Sequence, residues 1–276
     1  MKYTITTLVE NRPDDSGNLI PENGLSFHIE TPEGALLFDM GEAGAFYKNA
    51  EVLGIDIKSV NKMAVSHGHH DHGNGLLTLL EKGVRDFDLF VGEGYFNKKV
   101  KGLDAEVFTG VNYDEKDLLD AGVRVHTLTE DITSIFENVY LIRNFSRVYP
   151  DTIDPGFALK IGQQRYPDPF TDEIALVIRG EKGLVLVVGC SHPGIENIIE
   201  TVRQRFREPL YALIGGTHLR DASDERIQGV IEIIKALGIQ AIGLNHCTGE
   251  KALVTMKTKI PRLYLENRTG SIFSFD

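Results

Sequence analysis

The segment 67–72, with the sequence HGHHDH, constrains the possible fold and chemistry of this chain more than any other feature of the sequence. It places four histidines and one aspartate within six residues, directly after an apolar run and ahead of a helix-like stretch. Imidazole and carboxylate groups are the side chains that divalent transition metals bind in water. The segment therefore predicts a metal site. The alternative is a histidine-rich surface loop that binds metal only incidentally.

The spacing within this segment indicates how many ions it can serve. In an extended loop alternate side chains point the same way, so His67, His69 and Asp71 share one direction. The adjacent His72 has the opposite direction. One short loop can therefore contribute ligands to two neighbouring ions.

Length and composition are typical of a soluble globular protein. The chain has 276 residues, of which 42% are hydrophobic and 25% charged, enough to bury a sizeable core. We expect a single domain over 1–276 with a loop-rich insertion at about 84–170, because glycine, proline, aspartate and tyrosine interrupt the strand-like fragments there.

The net charge and the cysteine content limit the possible binding partners and the cellular compartment of the protein. The net charge of −11 argues against binding to nucleic acid or to an anionic membrane surface. With only Cys190 and Cys247, the chain has no disulfide framework, and it shows neither a signal-peptide core nor an apolar run of membrane-spanning length. We expect a cytoplasmic protein that acts on a small molecule; the sequence carries no signal for its oligomeric state.

Three apolar, strand-like runs later in the chain each end just before a cysteine or histidine. Loops at strand ends that lead into helices are how layered α/β folds build one active site. We therefore expect these side chains to meet the segment 67–72. They are Cys190 and His192 after the run 184–188, His218 after 211–215, and His246 after 239–244.

Each of these groups also has a purely structural interpretation. Cys190 can be a small buried residue and His192 a residue at the start of a helix, although we favour a metal role for at least one of them, His192 ahead of Cys190. Covalent catalysis by a Cys190–His192 pair is disfavoured by the metal-binding potential around it. Asp39, at a strand end upstream, is either a turn former or a residue that orients the metal ligands.

These residues resemble the metallo-β-lactamase superfamily. Its signature His-x-His-x-Asp-His matches His67, His69, Asp71 and His72, and its upstream Asp-x-Gly matches 39–41. Within the superfamily, further stretches are similar to the branch of 7,8-dihydropterin-6-methyl-4-(β-D-ribofuranosyl)-aminobenzene 5′-phosphate synthase, many of whose bacterial members are called metal-dependent hydrolases. Those stretches are Asn11, 24–26, 66–69, 189–194, 215–219 and 245–249.

The resemblance implies a fold class and a cofactor. The fold is α/β (α+β), a four-layer αββα metallo-β-lactamase sandwich with the metals at the edge between its two sheets. His67 and His69 would bind one divalent ion, and Asp71, His72 and His246 the other. Zinc is the metal we expect, with iron or manganese as alternatives.

The chain departs from the superfamily pattern at the second metal site. The superfamily usually has a further histidine and then a bridging aspartate at a strand end. Here Cys190 occupies the strand end, and Asp172 and Glu173 lie upstream of the preceding hairpin. Either Cys190 bridges the ions, or His192 replaces a missing ligand, or the second site is weaker.

The predicted function is a dinuclear metal-dependent hydrolase that activates a bound water against a small substrate, with phosphorylated compounds among the candidates. Asp71 would hold metal and orient the nucleophile, and His218 would donate a proton or contact the substrate. A phosphate group would suit Thr248 and Gly249 at the start of the last helix, with Arg220 nearby in sequence. Ordinary helix capping by Thr248 is the alternative.

Two other functions remain open from the sequence. One is a metal-dependent synthase or transferase that acts on a phosphorylated pterin-type substrate, as the name of the branch implies. The other is a non-catalytic metal-binding or sensor protein. The intact ligands of the segment 67–72 argue against this last possibility.

Overall fold

The computed structural model describes residues 2–102, 106–150 and 153–276. Strands are more numerous than helices along these ranges. In chain order the strands are β1 (Tyr3–Val9), β2 (Ser26–Thr31), β3 (Gly34–Phe38), β4 (Lys62–Ala64), β5 (Asp88–Gly92), β6 (Lys99–Lys101), β7 (Val107–Phe108), β8 (Arg124–Leu128), β9 (Ile132–Phe136), β10 (Val139–Ile142), β11 (Phe157–Ile161), β12 (Gln164–Pro167), β13 (Ala175–Gly180), β14 (Gly183–Val188), β15 (Leu210–Gly215), β16 (Ala241–Leu244) and β17 (Ile272–Phe275).

The helices are short, and most follow a strand. Across the described ranges, no helix combines the length and the apolar character needed to cross a membrane. The helices are α1 (Ala45–Leu53), α2 (His70–Gly73), α3 (Leu76–Glu81), α4 (Glu115–Asp120), α5 (Ile195–Phe206), α6 (Asp224–Ala236) and α7 (Glu250–Lys259).

Two large sheets pack face to face, and helices cover their outer faces. The first sheet has the strand order β17-β1-β2-β3-β4-β5-β8, and the second has β16-β15-β14-β13-β10-β9. One apolar cluster fills the space between the sheets, a second joins α5, α6 and α7 to the second sheet, and a third joins α1, α3 and α4 to the first. The predicted four-layer αββα sandwich is confirmed.

Strand β14 shows why the sequence folds this way. Val185 and Val187 face the core between the two sheets, whereas Leu184, Leu186 and Val188 face the helices. A strand that is buried on both faces must be apolar at every position, because neither face meets water. The uninterrupted apolar run of the sequence therefore corresponds to a central strand.

Residues 84–170, which we expected to be a loop-rich insertion, contain more regular structure than the sequence indicates. They contribute β5 and β8 to the first sheet and β9 and β10 to the second. They also form a third, four-stranded sheet with the order β12-β11-β6-β7. This small sheet brings Lys101 and Phe157 to the edge where the histidines lie.

Parallel pairing brings the candidate ligands to one edge of the sandwich. Strand β3 pairs in parallel with β4, and β14, β15 and β16 also pair in parallel. The carboxyl ends of parallel strands meet at the same edge of a sheet, so the loops that follow them lie side by side. The segment 67–72 follows β4, and the other candidate ligands follow β14, β15 and β16.

The turn before α1 is held by the carboxylate of Glu22. The N-cap of α1 is Gly44, which has no side chain to satisfy the first amides of the helix. Glu22 accepts hydrogen bonds instead from the amides of residues 42–45, at 2.7 to 3.2 Å. This contact fixes the chain between Asp39 and α1, next to the candidate metal site.

We predict that Glu22→Ala lowers the free energy of unfolding by about 1–2 kcal/mol, because four amides lose their acceptor at a helix start. Urea denaturation of both proteins measures the difference. Glu51→Ala removes the same charge from the exposed face of α1 and should change stability by less than about 0.5 kcal/mol. Equal effects of the two substitutions would contradict this interpretation.

Candidate metal centre

Side chains from several strand-end loops converge into two adjacent sets of potential ligands. Within each set, one ligand atom per residue lies within 4.8 Å of the others. Both sets are almost completely buried, and only Asp71 is partly exposed. The first set is His67, His69 and His192; the second set is Asp71, His72 and His246.

Cys190 lies between the two sets. Its Sγ atom is 3.2 Å from Nε2 of His72. It also clusters with His67 of the first set and with His246 of the second. A thiolate in this position can contact ions held by either set, which is the position expected of a bridging group.

Unpartnered nitrogens show that a cation fits the first set. Among the described residues, both ring nitrogens of His192 and Nε2 of His69 are buried without a hydrogen-bond partner, and Nε2 of His67 lies 3.0 Å from Nδ1 of His69. Burial lowers the pKa of all three histidines well below its usual value, so the rings are neutral and present lone pairs. Buried unsatisfied nitrogens are costly, and three imidazoles are ligands that suit zinc or iron.

Hydrogen bonds aim the two imidazoles of the second set. Nδ1 of His72 lies 2.7 Å from Oδ2 of Asp39, and Nδ1 of His246 lies 2.7 Å from Oδ1 of Asn11. Both oxygens are acceptors, so each Nδ1 donates a hydrogen bond and each Nε2 is directed into the set. The two Nε2 atoms are 3.2 Å apart, and that of His246 is 3.6 Å from Oδ2 of Asp71.

The second set favours positive charge. Burial disfavours charge on His72, but the Asp39 and Asp71 carboxylates outweigh this effect and raise its pKa to about 9. Burial likewise opposes ionisation of Asp71, yet His72 and His246 lower its pKa to about 2. For His246, burial and then the neighbouring His72 lower the pKa to about 3. The pocket thus holds carboxylates whose charge a divalent ion would compensate.

Four buried carboxylates hold the loops that carry these ligands. Each accepts a backbone amide at a ligand or next to one, a strong hydrogen bond because the acceptor is charged. The pairs are Asp39 with Ser66 at 2.6 Å, Asp172 with Gly68 at 2.7 Å, Glu173 with His192 at 3.0 and 3.2 Å, and Glu10 with His246 at 3.2 Å.

Asp39 and Asp172 therefore support the centre from outside it. Of the two roles that the sequence left open for Asp39, its contacts favour orientation of the ligands, since it also accepts the hydroxyl of Ser66 at 2.8 Å. Asp172 is bound to the buried ammonium of Lys99 at 3.0 Å and belongs to neither ligand set in the described ranges. Cys190 and His192, unlike Asp172, belong to groups of the described residues that could hold a metal ion.

The backbone has unusual φ angles in the loops that follow the strands and carry the candidate ligands. Four residues there other than glycine have a positive φ angle, which costs free energy for a residue with a Cβ atom. This conformation turns the chain sharply at the edge of the sheets and aims side chains into the site. The residues are Asp39 (60°), Ser191 (63°), His218 (49°) and His246 (52°).

A cavity of about 190 Å³ opens onto both ligand sets. It contains carboxylate, imidazole, thiol and cationic groups around one aromatic ring, so it is suited to a small polar substrate. The residues that line it are Asn23, His69, Asp71, Lys101, Phe157, Cys190, His192, His218, Arg220, Asp221, His246 and Cys247.

His218 lies in this cavity beside the first set. Its ring centroid is 4.4 Å from that of His192. Burial, followed by the positive charges of Lys101 and Arg226, lowers its pKa to about 4. A neutral imidazole can donate one hydrogen bond and accept another, so the geometry suits contact with a substrate better than donation of a full proton.

The predicted phosphate site at the start of α7 is arranged differently. Arg220 lines the cavity, but Thr248 is buried, and its hydroxyl binds the amide and the hydroxyl of Thr217 at 3.1 and 3.0 Å. A Cβ atom on Gly249 would lie 2.5 Å from Cα of Arg220. Thr248 and Gly249 therefore join the loops after β15 and β16, and neither lines the cavity.

Sequence reasoning missed five residues of the cavity wall, namely Asn23, Lys101, Phe157, Asp221 and Cys247. Cys247 directly follows His246 in the sequence. This position beside a candidate ligand could have indicated that Cys247 lies at the site. Lys101 and Phe157 come from the third sheet, where Nζ of Lys101 lies 4.4 Å from the centroid of the Phe157 ring. No local pattern marks these two residues, because only the pairing of β6 with β11 brings them together.

Residues 19–84 match a family model described as the metallo-beta-lactamase superfamily. A Methanocaldococcus jannaschii protein named 7,8-dihydropterin-6-methyl-4-(beta-D-ribofuranosyl)-aminobenzene-5'-phosphate synthase is 31% identical, over 98% of this chain and 96% of the relative. The chain belongs to the metallo-β-lactamase superfamily, in the branch of that synthase. The resemblance seen in the sequence is thus confirmed.

Solved structures of the metallo-β-lactamase superfamily agree with this assignment. Tm1679, described as a metal-dependent hydrolase of the beta-lactamase superfamily, has a TM-score of 0.87 and 29% identity, with 98% of each chain covered. YhfI from Bacillus subtilis, described as a metallo-beta-lactamase fold protein, has a TM-score of 0.61 and 15% identity, with 99% of each chain covered. The second likeness shows the fold alone.

We predict that Asp39→Asn weakens metal binding at the second set by about 10–100-fold, because His72 loses the charged acceptor that aims its Nε2 atom. Competition with a chromogenic chelator measures the affinity. Asp88→Asn is the matched control: Asp88 pairs with His126 at 2.7 Å on the surface and should leave the affinity unchanged. Wild-type affinity in the Asp39→Asn protein would exclude the orienting role.

Proposed function

We propose that this protein is a dinuclear metal-dependent hydrolase that acts on a small, anionic substrate, with phosphoesters as the favoured class. Two divalent ions, zinc by preference and iron or manganese as alternatives, would occupy the two ligand sets. The observation that supports this proposal most is the pair of adjacent ligand sets with Cys190 between them. We further propose that the whole chain, 1–276, forms the single domain that carries the site.

The proposed chemistry divides between the ions and the protein. Ions held by these sets would supply the Lewis acidity that activates a water molecule and polarises the bond under attack. Asp71 is the partly exposed member of its set and lines the cavity, so its carboxylate can accept a hydrogen bond from the attacking water. His218, on the cavity wall, can hydrogen-bond to the substrate.

The cationic groups of the cavity favour an anionic substrate. Lys101 and Arg220 both line it, although the chain as a whole carries a net charge of −11. Nζ of Lys101 forms an ion pair with Asp154 at 3.0 Å, and Arg220 is exposed at the cavity. Arginine binds phosphate oxygens in a fixed two-pronged geometry, so Arg220 is the better candidate for a direct contact.

A second candidate function is a metal-dependent synthase or transferase that acts on a phosphorylated pterin-type substrate. The name of the M. jannaschii relative, with 31% identity over 98% of this chain, favours it. The same ligand sets serve both functions, and the difference lies in the bond that is made or broken.

We predict that the purified protein binds about two equivalents of transition metal per chain, one at each set. His69→Ala should lose about one equivalent, because it removes one of three imidazoles from the first set. His246→Ala should lose the other. Elemental analysis by mass spectrometry measures the content, and His126→Ala, on the surface, is the control that keeps both. A wild-type protein without bound transition metal would contradict the proposal.

The two functions can be separated by their substrates. We expect the metal-loaded protein to cleave simple phosphoesters, and a chelator or His69→Ala to abolish the cleavage. Chromogenic phosphomonoesters, phosphodiesters and lactones form the first panel, and a pterin together with a phosphoribosyl aromatic amine forms the second. Turnover confined to the second panel would reject hydrolysis in favour of the synthase function.

A further inference from the structure

Cys247 lies at the centre, yet neither ligand set includes it. Its Sγ atom, that of Cys190 and a ring nitrogen of His246 lie within 4.8 Å of one another. Both thiols are buried, with 4% of Cys190 and 7% of Cys247 exposed, and both line the cavity. The three atoms are thus close enough to share one ion.

The backbone around Cys247 leaves room for its sulfur. Gly216, in the loop after β15, passes between the loops that carry the two cysteines. A Cβ atom at Gly216 would lie 2.7 Å from Sγ of Cys247 and 2.3 Å from the carbonyl oxygen of Gly189. Only glycine fits here, so the thiol of Cys247 can face Cys190 without an intervening side chain.

The hydrogen bonds of Cys247 suit a thiolate. Its Sγ atom accepts the backbone N–H of His218 at 3.2 Å. The contact from its own thiol to the carbonyl oxygen of Cys190 is longer, at 3.4 Å. A fixed amide donor stabilises negative charge on sulfur, and the thiolate is the form of cysteine that binds metal.

We propose that Cys247 is a metal ligand and that, with Cys190, it adds two thiolates to the ion of the second set, on the side of His246. This inference rests on the proposed dinuclear centre. Each thiol would release one proton to solvent when the ion binds. Paired thiolates are soft ligands, so the second set should prefer zinc or cadmium to manganese.

The competing interpretation makes Cys247 a small buried residue that only packs beside His246. Under that interpretation Cys190 is the one sulfur ligand of the centre. The two interpretations differ in the number of thiolate–metal bonds, which can be counted without an activity assay. Cadmium is a suitable probe because thiolates bound to it absorb in the ultraviolet, whereas imidazole and carboxylate ligands do not produce this charge-transfer band.

The test compares the thiolate-to-cadmium band of the wild-type protein with those of Cys247→Ser and Cys190→Ser, at equal cadmium content measured on the same samples. We expect Cys247→Ser to lose about a third to a half of the wild-type band, because it removes one thiolate–cadmium bond, and Cys190→Ser to lose at least as much but to keep the part due to Cys247. A full band in Cys247→Ser, together with no band in Cys190→Ser, would overturn the inference. Wild-type protein that binds no metal would instead overturn the dinuclear centre itself.

A second measurement needs no variant and so does not depend on how a variant folds. The wild-type protein is alkylated with and without cadmium, and mass spectrometry follows the modification of each cysteine. We expect cadmium to protect both thiols to a similar extent. Protection of Cys190 with unchanged modification of Cys247 would show that Cys247 does not bind the ion.

Discussion

The structure of this site depends on one unfavourable arrangement, in which imidazole nitrogens from several loops are buried close to one another. Nε2 of His72 and Nε2 of His246 are 3.2 Å apart, and neither ring nitrogen of His192 has a hydrogen-bond partner within the part of the chain that the structure describes. Burial of polar atoms without hydrogen bonds costs free energy, and a fold retains such atoms where a ligand repays that cost. Here the chemistry of the atoms points to divalent metal.

The scaffold holds these groups in place through buried carboxylates. Asp39, Asp172, Glu173 and Glu10 each accept an amide from a ligand loop, so the loops cannot relax away from one another. Nearby groups compensate the charge of most of these carboxylates. Lys99 lies 3.0 Å from Asp172, Arg12 lies 3.0 Å from Glu10, and His72 lies 2.7 Å from Asp39.

Glu173 differs from the other three carboxylates. Burial, with a further contribution from the nearby carboxylate of Asp172, raises the pKa of Glu173 well above its usual value. Both of its oxygens nevertheless accept the amide of His192. The loop after β14 is thus held by a carboxylate whose burial costs free energy. The fold keeps this carboxylate in place, and its contact fixes the position of His192.

The sequence predicted those parts of the fold and site that local patterns encode. The four-layer sandwich followed from the family resemblance, and the strand-end positions of Cys190, His218 and His246 followed from apolar runs that end before polar residues. The structure of residues 84–170 was harder to predict. Strands β5 and β8–β10 pair with strands that are distant in the sequence, and the strands of the small third sheet show no clear alternation of apolar and polar residues. The contact of Thr248 with Thr217 was also beyond the sequence, because it depends on how two loops meet, which a helix-start pattern does not encode.

The most direct test of the central claim is the position of bound metal in a crystal of the wild-type protein, measured by anomalous X-ray scattering at the absorption edge of the bound element. The account predicts two peaks, one among His67, His69 and His192 and one among Asp71, His72 and His246, with Cys190 between them. A single peak, or peaks away from these two sets, would contradict it.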